Sequence, residues 1–220
     1  MDEPLSDIQI RILGTLMEKQ ITIPDLYPLS LNSLTNACNQ KNSRNPVTSY
    51  SDKEIEAELE VLRVRRLVQY KRDLGGRVPK FEQLFSREWG LKPEEHAVMC
   101  VLMLRGAQTV GELRTRTEPI YKFESLQGVE DVLERSAERS FVVRLERQAG
   151  ERDARWTHIL TGAPAIPESD GKPSTPRSGG GQDLVGRVEA LEAEVLALRR
   201  ELERLKSAGE YYLGLQEKLI

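Results

Sequence analysis

Few residues in this chain could hold a metal or serve as a nucleophile. Only two cysteines and two histidines occur in 220 residues. Cys38 and Cys100 stand apart, with no CxxC spacing, and read as reduced core thiols rather than a disulfide framework. His96 falls in an apolar helix and His158 in an apolar strand, so a zinc site of the usual ligands is not expected. Aromatic residues make up 5% of the chain. No apolar run approaches the length of a membrane span. The start, MDEPLSDIQI, lacks the basic beginning and apolar core of a secretory signal. The expectation is therefore a cytoplasmic protein. Charge of one sign is also missing: 32 basic against 35 acidic side chains leave a net charge of −3. A body this balanced is not built for affinity through phosphate neutralisation.

Neither a nucleophile–base pair nor a phosphate-cradling glycine loop is visible. Gly179-Gly180-Gly181 follows no strand and lies in a run rich in Pro, Gly and Ser, so it is not a P-loop. Tyr27 before Pro28 reads as a packing residue. No enzyme activity, cofactor or metal is expected.

What is present is helical order. Ser6 caps a helix with Ile8, Ile12, Leu13 and Leu16 on one face. Ser30 starts a second, with Leu31, Leu34 and Cys38 inward. Ser51 and Glu54 form a capping box for a third, with Ile55, Leu59 and Leu62 inward. A hairpin follows: 67–71, a turn at Gly75-Gly76, and 78–84. The pattern then repeats. Pro93 opens an apolar helix, Thr109 caps a short one, and a third carries Leu126, Val129, Leu133 and Ala137 on one face. Residues 141–145 and 155–160 flank a turn near Gly150. Three helices and a hairpin, twice, predict a mainly α, α+β fold of two tandem winged-helix domains, 1–90 and 91–162.

Residues 163–182 read as a disordered linker rich in Pro, Gly and Ser. Residues 183–220 read as a coiled-coil helix and tail. Leu184, Val188, Leu191, Val195, Leu198, Leu202 and Leu205 alternate spacings of four and three, a heptad seam. In a parallel pair Arg187 would face Glu192, Glu194 would face Arg199, and Glu201 would face Lys206, opposite in sign each time. A homodimer through this segment is predicted, with a helix folded back on its own domains as the alternative.

Two runs carry a family resemblance. DLYPLSLNSL at 25–34 with ACNQKNSRNPV at 37–47, and RGAQTVGELRTR at 105–116, resemble motifs of the YceH-like bacterial proteins. The likeness covers about residues 6–162. It implies tandem winged helices and carries no mechanism and no established site residues.

Winged helices usually read DNA with the third helix in the major groove. Here that helix presents Lys53, Glu56, Ala57, Glu60 and Val64 in the first domain, and Gln127, Asp131, Glu134 and Glu138 in the second. Carboxylates facing phosphates disfavour that use. The hairpins are more basic. Lys71, Arg72, Arg77 and Lys80 in the first, and Arg144, Arg147, Arg152 and Arg155 in the second, are candidates for nucleic-acid backbone. Glu146, Glu151 and Asp153 can neutralise the second set.

The densest polar cluster is Asn32, Asn36, Asn39, Gln40, Lys41, Asn42 and Arg44. Asparagine is a poor helix former, so three on one stripe call for a reason. One is a partner-binding surface; the other is capping and turning of the chain before Pro46. The leading expectation is a protein-interaction adaptor or regulator. The alternative is a DNA-binding transcriptional regulator acting through the basic hairpins or the Asn-rich helix.

Overall fold

The computed structural model describes residues 3–71, 78–147 and 151–162. The linker, all seven heptad residues, Arg72, Arg77 and the Gly75-Gly76 and Gly150 turns lie outside them.

The first half runs α1 (Asp7–Thr22), β1 (Leu29–Ser30), α2 (Leu31–Cys38), α3 (Asp52–Val64), β2 (Val68–Lys71), β3 (Lys80–Gln83) and the single turn α4 (Phe85–Glu88). The second runs α5 (Pro93–Arg105), α6 (Val110–Arg116), α7 (Leu126–Glu138), β4 (Val142–Arg144) and β5 (Trp156–His158). The result is a helix-rich α+β fold with small antiparallel sheets.

Local chemistry sets the helix starts. Ser6 and Ser51 each sit in a full capping box, accepting from the third helical N–H while Gln9 or Glu54 reaches back. Thr109 and Glu112 do the same for α6. Ser30 and Ser125 accept from Ser33 and Gly128 N–H. Each such cap satisfies a helix N–H that has no partner within the helix, worth about 1 kcal/mol.

The two halves share one strand order. In the first, β3 lies between β1 and β2, with Leu29 opposite Phe81 and Tyr70 opposite Phe81. In the second, Gln108 takes the place of β1. It bridges Trp156 through two backbone bonds of 2.9 and 2.7 Å, while β4 pairs with the other side of β5.

The core is continuous across both halves. All residues of α1 from Gln9 to Met17 and all of α5 from Glu95 to Leu104 are buried. Helices buried on every side form the interior of the fold, and these two pack on each other, with the polar Arg11, Thr15, Glu95 and His96 enclosed among their apolar neighbours. Gly14 permits the close approach: a Cβ there would lie 3.0 Å from Met103 Cβ and 3.1 Å from Leu104. Phe85, Trp89 and Phe141 continue the seam, with ring centroids 4.5 and 5.0 Å apart. Both cysteines are free and buried. Among the described residues no helix is long and apolar enough to cross a membrane.

Candidate interaction surface

The Asn-rich cluster separates into two groups of different use. Asn32 and Asn36 are exposed and bond to each other, Nδ2 of Asn36 donating to Oδ1 of Asn32 at 3.0 Å. Lys41 and Asn42 are also exposed. Asn39 and Arg44 are framework, and Gln40, though exposed, lends its Oε1 to Arg44. Asn39 receives the Tyr50 N–H at 2.9 Å and donates to the Tyr50 carbonyl at 2.8 Å, copying a backbone pairing across the loop. Arg44 is buried, at 6% exposure, and so cannot meet a partner. Its guanidinium donates to both oxygens of Glu18 at 2.7 and 3.1 Å, to the carbonyls of Ala37 and Ser43, and to Gln40 Oε1. Burial alone would raise the Glu18 carboxyl, but the Arg44 bond and charge hold it below the usual carboxylate range. Arg11, 4% exposed, donates to the carbonyls of Cys38 and Pro46 at 3.2 and 2.6 Å. Residues 39–50 are thus clasped onto α1, and Asn45 N–H carries the loop to the Leu104 carbonyl of α5 at 2.9 Å.

The outward faces of α3 and α7 match the helical-wheel reading. On α3, Lys53, Glu56 and Ala57 are exposed, with Val61 at 44% and Val64 at 75%. Glu60 accepts from the Tyr70 hydroxyl and pairs with Arg63, whose guanidinium lies 5.8 Å from the Tyr70 ring centre. On α7, Gln127, Asp131, Glu134 and Glu138 are exposed, as is Leu126 at 48%. Acidic and apolar groups dominate both faces.

The hairpin cations are unequal. Arg144, Arg147 and Arg152 are exposed. Arg155 is engaged within the second half, pairing with Glu112 at 2.8 Å and Glu151 at 3.0 Å. The Glu151 bond and both carboxylates raise its already high pKa. Lys71 pairs with Glu82 at 3.5 Å, and Lys80 pairs in register with both Ser30 and Lys71.

Both histidines are held neutral by burial. His96 Nε2 meets the Met17 carbonyl at 3.1 Å and Nδ1 meets Ser86 Oγ at 2.9 Å. A carbonyl only accepts, so the ring proton is on Nε2 and the serine hydroxyl donates to Nδ1. Burial lowers the His96 pKa, against the opposing Met17 bond. This pair ties α4, α5 and α1 together beside an open cleft of about 400 Å³ lined by Gln20, Ile21, Gln83, Leu91 and Ile120 among others. Sequence reading missed it, because Ser86, His96 and Met17 share no local spacing. The Tyr27 hydroxyl accepts the Gln83 N–H at 2.8 Å, consistent with a packing role.

Residues 5–151 match the family described as "Protein of unknown function, DUF480". A "UPF0502 protein" of Solibacter usitatus is 46% identical over 94% of this chain and 98% of its own length. Another, from Pelobacter propionicus, is 42% identical over 97% of this chain and 99% of its own. The "UPF0502 protein YceH" of Escherichia fergusonii is 42% identical over 93% and 97%. These matches extend well past residue 162, beyond the span on which the sequence motifs rest.

Proposed function

This chain belongs to the DUF480 family, and we propose from that premise that it is a non-enzymatic protein-interaction adaptor: two tandem winged helices dimerised by a C-terminal coiled coil. The observation that carries this reading is the outward surface of α3 and α7. In a winged helix these are the helices that would enter a DNA groove. Here they offer Glu56, Glu60, Asp131, Glu134 and Glu138 together with exposed Val61, Val64 and Leu126. Phosphates repel such a surface, whereas a protein partner buries the apolar side chains and leaves the carboxylates at a rim. The winged-helix assignment draws support from the repeated order of three helices and a hairpin and from the common strand order of both halves. The dimer draws support from the heptads and their charge pairs.

The test has two arms. Affinity capture with the full chain, with and without nuclease, should yield the same proteins in both cases. Val61→Glu with Val64→Glu should abolish the capture while the chain stays folded. Light scattering should give half the mass for Leu191→Asp with Leu198→Asp. A titration at physiological salt that gave nanomolar, sequence-specific DNA affinity would overturn the reading in favour of a regulator using Arg144, Arg147 and Arg152.

A further inference from the structure

At the C-terminal ends of α1, α5 and α6 a narrow cleft of about 70 Å³ lies between Glu18, Thr22, Ser43, Arg105, Arg116 and Ile120. Water needs roughly 10–15 Å³ of such space per molecule, so the cleft has room for a compact ion.

Its charges do not balance. Arg105 Nη2 donates to Ser43 Oγ at 2.7 Å, a neutral acceptor, and among the described residues it forms no ion pair. Arg116 pairs with Glu112 at 3.2 Å, but that carboxylate also serves Arg155. Glu18 is the one acid on the wall, and it is already taken by Arg44 at 2.7 Å and Lys19 at 3.0 Å. Arg105 therefore faces the cleft with no ion pair among the described residues, and Arg116 faces it with a carboxylate that it shares with Arg155. Burial, then the nearby charge of Arg116, lowers the Arg105 pKa, against the opposing charge of Glu18.

The site is also pre-shaped. Ser43 takes a left-handed backbone, φ 61°, which costs a non-glycine residue energy unless its surroundings impose it. Arg44 imposes it by donating to the Ser43 carbonyl at 3.1 Å. The hydroxyl then points at Arg105.

Helix dipoles favour a cation in the last turn, and Arg105 and Arg116 both sit in one. That accounts for each arginine on its own helix. It does not account for both lining one cavity together with a strained serine.

We propose that this cleft binds a compact tetrahedral oxyanion, inorganic phosphate or the phosphate end of a small monoester, gripped by Arg105 and Arg116 with Ser43 as a further donor. Planar guanidinium groups suit phosphate oxygens, which accept two N–H bonds side by side. The cleft is too small for a nucleotide body, so anything attached to the phosphate projects into solvent. No residue of α3 or α7 lines the cleft, which is independent of the proposed adaptor surface.

The test is thermal unfolding of the full chain in inorganic phosphate against chloride at matched ionic strength. With a Kd of about 1 mM, 10 mM phosphate should raise Tm by about 3–5 °C. Sulfate, alike in shape and charge, should do nearly the same. Arg105→Gln should remove most of that increment whatever its own starting Tm, and the exposed Arg152→Gln should keep it. Phenyl phosphate raising Tm beyond inorganic phosphate would assign the site to a monoester; equal increments would assign it to the free ion. No increment over chloride, an increment that survives Arg105→Gln, or stabilisation by duplex DNA alone would each overturn the proposal.

Discussion

The two halves share an element order and a strand order, yet they bury opposite kinds of polar group. The first half buries cations. Arg11 and Arg44 are nearly inaccessible, and both are bonded to carbonyls, with Glu18 neutralising one. The second half and its seam hold imidazoles instead, His96 buried and His158 half-buried with an inaccessible Nδ1, both kept uncharged. A buried guanidinium keeps its charge at any ordinary pH, so it must be given acceptors. A buried imidazole sheds its proton instead and needs fewer partners; His158 Nδ1 has none among the described residues. The same scaffold therefore carries on one side a clasp whose Arg44–Glu18 pair yields only when the depressed carboxyl is protonated, and on the other imidazoles that acid charges earlier.

The largest break in that comparison comes from Arg44→Ala. It strips five acceptors of their donor and leaves Glu18 half-buried beside Lys19 alone. A loss of about 3–5 kcal/mol in denaturant unfolding is expected. Arg44→Lys should not restore it, because an ammonium cannot span Glu18 and the Ala37 carbonyl at once. A loss under about 1 kcal/mol would show that the clasp does not hold the first half together.

Acid should act on the other side. Burial holds the His158 pKa down to about 4, only partly offset by the charge of Asp7. The unfolded chain titrates near 6.5. Between those values the unfolded state binds the proton and the folded state does not, so stability falls as pH falls. From pH 7 to 5 the loss should be on the order of 2 kcal/mol from this residue. His158→Gln should flatten that slope, whatever its effect at pH 7. An unchanged slope would remove His158 as the source.

The smallest effect should come from Asn32→Ala and Asn36→Ala. Their mutual bond is exposed, so stability should stay within about 0.5 kcal/mol. Asn39→Ala, which unpairs Tyr50 N–H and carbonyl, should cost about 1–3 kcal/mol. If all three lowered Tm alike, the stripe would be framework throughout and not a surface.

Helix starts were readable because capping is local: Ser6, Ser51 and Thr109 each find their partner three residues on. The exposed faces of α3 and α7 were readable for a similar reason, since a helical wheel needs only one helix. The division of the Asn-rich run was not. Asn39 looks the same as Asn36 on a wheel, and only the return of the loop at Tyr50 tells them apart. Arg44 read as a surface cation until Glu18, 26 positions earlier, was brought against it.

Sequence by itself determined the elements, their order and their internal repetition, because periodicity and caps act within a few residues. It also carried the family motifs and the heptads of 184–205. Tertiary structure alone decided which polar groups became core. Gly14 against Met103 brings α1 and α5 together, and that contact settles what His96, Cys100 and Arg105 can touch. Burial turns a charge into a demand for partners, and partners distant in the chain meet only when it folds.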